Sequence, residues 1–169
     1  MKYLHLLFVI LIIPLLASRC LECGVVSVKL KNNSGSGIVG ISACSRTGFS
    51  YPDTLLPEIP GFDINFAYIK TPPKTGQVVF DGECSFTRAL EDYTSSDTLS
   101  VFIFDTDTLL NLAWEEIRGG YKILARYDLS ADDLDSLGGV LYYPPTESMK
   151  NVHMYPPYDA IIGNNVPEH

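Results

Sequence analysis

The sequence predicts an α+β domain: a largely antiparallel β-sheet or sandwich, with about three short helices in its C-terminal half. Three observations lead there. Between Val25 and Phe80, apolar residues alternate with polar ones or run in short apolar blocks. Apolar spacing of three and four, the mark of a helix, begins only at Phe86. Strand and helix patterns do not alternate regularly enough for a parallel, doubly wound sheet.

Val25 to Lys31 reads Val-Val-Ser-Val-Lys-Leu-Lys, the period of a half-buried strand. The turn cluster Asn32-Asn33-Ser34-Gly35-Ser36-Gly37 follows, then an apolar strand from Ile38 to Ala43. The pair predicts a β-hairpin with a long loop. Pro52, Pro57 and Pro60 push the residues before them away from helix, which predicts an extended surface loop over 51–62. Asn65 to Lys70 and Gln77 to Phe80 read as two short strands joined by a Pro- and Gly-containing turn.

Phe86, Ala89, Leu90 and Tyr93 make the stripe of one short helix. Leu99 to Phe104 is apolar enough for a central strand buried on both faces. Thr106, Asp107 or Thr108 is placed to cap a single helix with the stripe Leu109, Leu110, Ala113, Trp114 and Ile117. Gly119-Gly120 would close it in the left-handed conformation. Tyr121 to Tyr127 returns to strand. Ser130 and Asp133 have capping-box spacing ahead of Leu134 and Leu137, Gly138-Gly139 stops that helix, and Val140 to Tyr143 is a last strand. Beyond it the chain is studded with proline, and 146–169 is expected to be a mostly disordered tail. The expected organisation is a leader over 1–19, one globular domain over 20–145, and that tail.

The leader is read from Met1 and Lys2, an apolar run from Leu4 to Leu16 broken by His5, and the small residues Ala17 and Ser18. Positive end, apolar block and small residues in that order make an export signal. The run covers thirteen residues, whereas a membrane-crossing helix needs about 20. A buried helix of the domain would not need that order of parts. Cys20 is the expected site of lipidation, with simple secretion as the alternative; Arg19 interrupts the small residues that usually precede an acylated cysteine. The lipid would tether the domain to a membrane, since each buried CH₂ contributes about 0.8 kcal/mol.

An exported chain meets a compartment that permits disulfides. Cys44 and Cys84 lie inside the domain and form the expected pair, which would stabilise by roughly 3–4 kcal/mol if unstrained. Cys20 and Cys23 have C-x-x-C spacing, but no second ligand pair stands nearby, so they read as part of the processing site rather than as redox or zinc chemistry. The formal net charge is -8, and the leader holds Lys2 and Arg19 but no acid, so the mature chain is more acidic than the whole. Such a surface repels phosphate backbones and argues against nucleic acid as a partner.

Residues capable of chemistry are few. His5 leaves with the leader, and His153 and His169 fall in the expected tail, so no Ser-His-Asp or Cys-His base and no His-rich zinc site is expected in the folded region. Asp128, Asp132, Asp133 and Asp135 lack the order of a calcium loop and read as a solvated helix start. No cofactor and no metal site is expected. Tyr142-Tyr143-Pro144-Pro145 and Tyr155-Pro156-Pro157-Tyr158 suit either a surface for a sugar or protein groove, or a strand end and a loosely packed tail, which is preferred. Trp114 falls on an apolar stripe and reads as core.

The run Val101-Phe102-Ile103-Phe104-Asp105-Thr106-Asp107-Thr108-Leu109 resembles the first motif of haloacid-dehalogenase-type phosphatases. By that resemblance Asp105 would be the nucleophile and Asp107 the acid/base, beside Mg²⁺. The family's long α/β domain has no room here, because 60 residues follow Leu109. Helix capping by the carboxylates is the preferred reading.

A wider resemblance is carried by Ser96-Asp97-Thr98-Leu99, Val101 to Asp105, Trp114-Glu115-Glu116-Ile117-Arg118, Tyr121 to Ser130 and Tyr143-Pro144-Pro145, with Asn32-Asn33-Ser34 and Tyr51-Pro52-Asp53-Thr54 upstream. Over roughly residues 25–145, this pattern is similar to a group of small exported proteins of Bacteroidetes bacteria that commonly carry a lipoprotein signal. The resemblance implies an envelope address and no catalytic residue. The expected function is a non-enzymatic binding or scaffolding domain with a protein or glycan partner. A Mg²⁺-dependent phosphatase and a glycan-binding module are the alternatives.

Overall fold

The computed structural model describes residues 24–43, 56, 76–82, 84–93 and 97–164. In chain order these form β1 (Val26–Asn32), β2 (Ile38–Ala43), β3 (Gly76–Gly82), α1 (Phe86–Tyr93), β4 (Thr98–Asp105), α2 (Thr106–Asn111), α3 (Trp114–Gly119), β5 (Ala125–Ser130), α4 (Ala131–Ser136), β6 (Val140–Tyr143), a 3₁₀ turn (Glu147–Met149), β7 (His153–Tyr155) and α5 (Tyr158–Asn164). The fold is mixed α+β, as expected. One sheet runs β2-β4-β5-β7 and is antiparallel throughout. The other runs β3-β1-β6, antiparallel at β1–β3 and parallel at β1–β6.

Strand β4 organises the interior. Alternate residues of a strand point to opposite faces, and both faces of β4 are covered. Leu99, Val101 and Ile103 enter a core shared with Val28 and Leu30 of β1, Leu90 of α1, Tyr127 and Leu129 of β5, and Leu134 of α4. Phe102 and Phe104 enter a second core with Val39, Leu56, Leu109 and Ile117. The second core lies under α2 and α3. Each fully buried Phe contributes about 1.5–3 kcal/mol, so β4 is anchored from both sides.

Several expectations are corrected. β1 and β2 do not form a hairpin; they belong to different sheets. Buried Asn32 explains the turn: its amide donates to the Ser36 carbonyl at 2.7 Å, and its Oδ1 accepts from Ser34 N at 2.9 Å and Ser34 Oγ at 2.6 Å. These bonds knit a compact loop that redirects the chain to the second sheet. The expected single helix after β4 is two, broken where Leu112 is extended (φ -118, ψ 148); Leu110 is 50% exposed and outside the apolar stripe. β5 starts at Ala125 rather than Tyr121, because residues 120–123 close α3.

The expected disordered tail over 146–169 is also corrected. Its residues through 164 carry the 3₁₀ turn, β7 and α5. Met149, Val152, Met154 and Ile161 are buried in the first core, and β7 pairs with β5. Four widely spaced apolar residues among prolines show no period, yet each fills a place in the core. The loop over 51–62 apart from Leu56, and the strand expected over 65–70, lie outside the described residues, as does the leader.

Candidate functional site

Asp105 and Asp107 stand at the junction of β4 and α2. Asp105, and not Thr106, Asp107 or Thr108, is the N-cap: its Oδ2 accepts from Thr108 N at 2.9 Å and Thr108 Oγ1 at 3.3 Å. Asp107 is exposed in the first turn, where its charge complements the helix dipole. Among the described residues no group of three or more His, Cys, Asp or Glu side chains is placed to hold a metal ion. Cys84 is exposed, has φ 50, and is disulfide-bonded. Cys44, its expected partner, and Cys20 lie outside the described residues. A cavity of about 320 Å³ lies between α1 and the start of α4, with Glu91, Asp97 and Asp132 in its wall. The first turn of α4 is already closed there by its capping box, Ser130 Oγ accepting from Asp133 N at 3.2 Å and Asp133 Oδ2 accepting from Ser130 N at 2.9 Å.

The densest polar constellation was missed by sequence. It lies on the face of the larger sheet that carries α2 and α3, toward the β5–β7 edge. Register sets it: Ser100 of β4 stands opposite Asp128 of β5, which stands opposite His153 of β7, and Arg126 stands opposite Tyr155. The Asp128 carboxylate is the hub. Its Oδ1 accepts from Ser100 Oγ at 2.6 Å and Arg126 Nε at 2.8 Å, and its Oδ2 faces His153 Nδ1 at 3.1 Å. An ionised carboxylate can only accept, so Nδ1 is the donor and Nε2 is the ring nitrogen left facing away from Asp128. The Asp128 side chain is 10% exposed and the His153 side chain 71%.

Arg126 is buried, with its guanidinium 5.6 Å from the centre of the Phe102 ring. Burial alone would lower its pKa, but the Asp128 hydrogen bond and charge together with the adjacent Tyr121 hydroxyl outweigh that, and the net direction is upward. Tyr121 closes the group. Its ring meets that of Tyr155 edge-on at 5.5 Å, and its hydroxyl is buried without a hydrogen bond of acceptable geometry among the described residues. Burial raises the Tyr121 pKa above its usual value, and the Arg126 guanidinium beside the hydroxyl only partly offsets this. Tyr121 also has a left-handed backbone, φ 47, which bulky residues rarely adopt.

These side chains do not compose a hydrolase relay. In such a relay the imidazole stands between the serine and the carboxylate. Here Ser100 and His153 occupy opposite oxygens of Asp128, so the serine proton is committed to the carboxylate and not to a base. The expectation that no histidine lies in the folded region is corrected all the same, since His153 sits in β7 beside an aspartate. The reading of Asp128 as part of a solvated helix start is corrected too: it lies inside β5 with its side chain 10% exposed, and β7, which carries its partner His153, was not recognisable as a strand.

The constellation belongs to a mixed α+β domain with one sheet face polar and aromatic at its edge. Comparison with protein-family models, curated proteins and solved structures finds no match for this chain.

Proposed function

We propose that this chain is an exported domain of the bacterial cell envelope, tethered to the membrane by lipid on Cys20, that works by binding another molecule rather than by catalysis. The observation that carries the address is the disulfide at Cys84, joined to the leader read in the sequence. Disulfides persist in oxidising compartments and are rare in the cytosol, so the two features support one address. The pairing proposed for Cys84 is with Cys44. The acidic surface supports a partner that is not a nucleic acid.

The binding role is supported by the edge of the larger sheet, where Tyr155, 48% exposed, projects beside His153 from a strand fixed by pairing to β5. Aromatic side chains with a polar tip are enriched where proteins meet ligands. Intact mass and cell fractionation test the address. The expected result is a membrane-fraction protein that begins at Cys20, carries acyl groups and holds Cys84 oxidised. Cytosolic protein retaining Met1, with reduced thiols, would overturn it.

A further inference from the structure

We propose that the β5–β7 edge is a subsite for one pyranose ring of a neutral glycan, with the sugar face stacked on Tyr155 and a sugar hydroxyl hydrogen-bonded to His153 Nε2. This deepens the binding role above by naming its ligand class. His153 and Tyr155 are two residues apart in β7, so their side chains share a face roughly 6.5 Å apart, a separation that one hexose ring spans. Val25, Leu110 and Tyr155 are the large apolar side chains that stand most exposed among the described residues, and Tyr155 stands beside the Tyr121 ring and on the same strand face as His153. The axial C–H groups of a pyranose suit the negative face of an aromatic ring, and the phenol adds a polar rim.

The platform is built before any ligand arrives. Tyr121 holds the Tyr155 ring from the side, and Asp128 holds the imidazole by Nδ1. Little side-chain freedom is left to lose on binding. The same carboxylate takes Nδ1 and leaves Nε2 to the ligand, and a sugar hydroxyl, which both donates and accepts, can pair with it. Charge selects a neutral sugar over an anionic one. The guanidinium on this face is buried and held by Asp128, and the chain carries a net charge of -8, which repels phosphorylated or carboxylated glycans. A strand of three residues offers room for one ring, so affinity per site is modest, and many copies on one membrane would bind by avidity.

The test titrates the purified full-length chain with maltotriose, cellotriose, chitotriose and mannotriose, followed by NMR shifts. At least one probe is expected to bind saturably, with no loss when salt is raised. Tyr155→Ala should weaken it at least about tenfold. Tyr155→Phe should keep it, and His153→Ala should weaken it severalfold. Failure of all four probes to saturate at tens of millimolar, or equal affinity in Tyr155→Ala, overturns the proposal. If Tyr155→Ala lowers the urea midpoint, the other two variants decide. Retention in Tyr155→Phe with weakening in His153→Ala sustains the subsite, and the reverse pattern removes it. An acylated envelope protein that binds none of the sugars refutes the subsite and spares the address. A cytosolic protein that binds one does the opposite.

Discussion

Helices α3 and α4 end with the same backbone device built from different residues. After α4, Gly138 takes a left-handed φ of 58, its N–H donates to the Asp135 carbonyl at 3.1 Å, and Gly139 N–H donates to the Leu134 carbonyl at 2.9 Å. After α3, Tyr121 takes the left-handed φ of 47, its N–H donates to the Arg118 carbonyl at 3.2 Å, and Lys122 N–H donates to the Ile117 carbonyl at 3.0 Å. Both are Schellman closures that satisfy the last carbonyls of a helix. Glycine adopts that conformation freely, whereas a side chain raises its cost by roughly 1–2 kcal/mol. Gly120 is one position too early and stays right-handed at φ -91. The end of α4 therefore serves the backbone, letting the chain pass Ser27 into β6. The end of α3 serves a side chain, placing the Tyr121 ring against Tyr155 and its hydroxyl against Arg126.

The sharpest way to break this contrast is at Gly139. A Cβ there would collide with the Ser27 carbonyl oxygen and stand 2.9 Å from the Phe86 ring, at a φ of 69. Gly139→Ala should destabilise the fold by about 3 kcal/mol, combining overpacking with left-handed strain. Urea unfolding measures it, and a loss below about 1 kcal/mol would mean that β1 yields at this contact. Gly138→Ala meets nothing within 4 Å and carries the strain alone. Its expected cost is about 1–2 kcal/mol. A Gly138→Ala loss as large as that of Gly139→Ala would remove collision as the explanation.

The end of α4 was legible because each of its parts is local. Ser130 and Asp133 are three residues apart, and Gly138-Gly139 follows at once, so capping box and closure both appear where the spacing puts them. The strand Leu99 to Phe104 was legible for the same reason: its own composition announces burial on both faces. The end of α3 was not legible. Nothing in Gly119-Gly120-Tyr121 says that the tyrosine takes the glycine's conformation, because its compensation comes from Tyr155 and Arg126, outside the helix. The polar constellation was hidden by the same kind of dependence. His153 became part of a strand through pairing with Asp128 and through Met154 in the core, neither of which a three-residue segment between prolines reveals. The β1–β2 hairpin failed because a turn cluster reports that the chain reverses, not which sheet receives it.

Ser130→Ala tests the start of α4 as the glycines test its end. It removes the hydroxyl that accepts from Asp133 N at 3.2 Å and donates to Asp133 Oδ2 at 2.6 Å, and should lower stability by about 1 kcal/mol. An unchanged urea midpoint would refute the cap as a source of stability.

Tyr121→Gly has the smallest expected effect on stability and discriminates best between the two helix ends. Glycine relieves left-handed strain of roughly 1 kcal/mol. It also gives up the edge-on contact with Tyr155, worth about 0.5–1.5 kcal/mol, and adds chain entropy to the unfolded state, about 0.5–1 kcal/mol. These partly offset one another, so stability should fall only modestly, by about 0–1.5 kcal/mol. Without Tyr121 beside it, the Tyr155 ring should lose its fixed orientation, readable as sharper, averaged ring resonances in NMR. A loss above about 2 kcal/mol would show that Tyr121 is needed by the fold itself. The contrast would then be one of packing, with α3 ended by a core residue in an awkward conformation rather than by a brace for the surface.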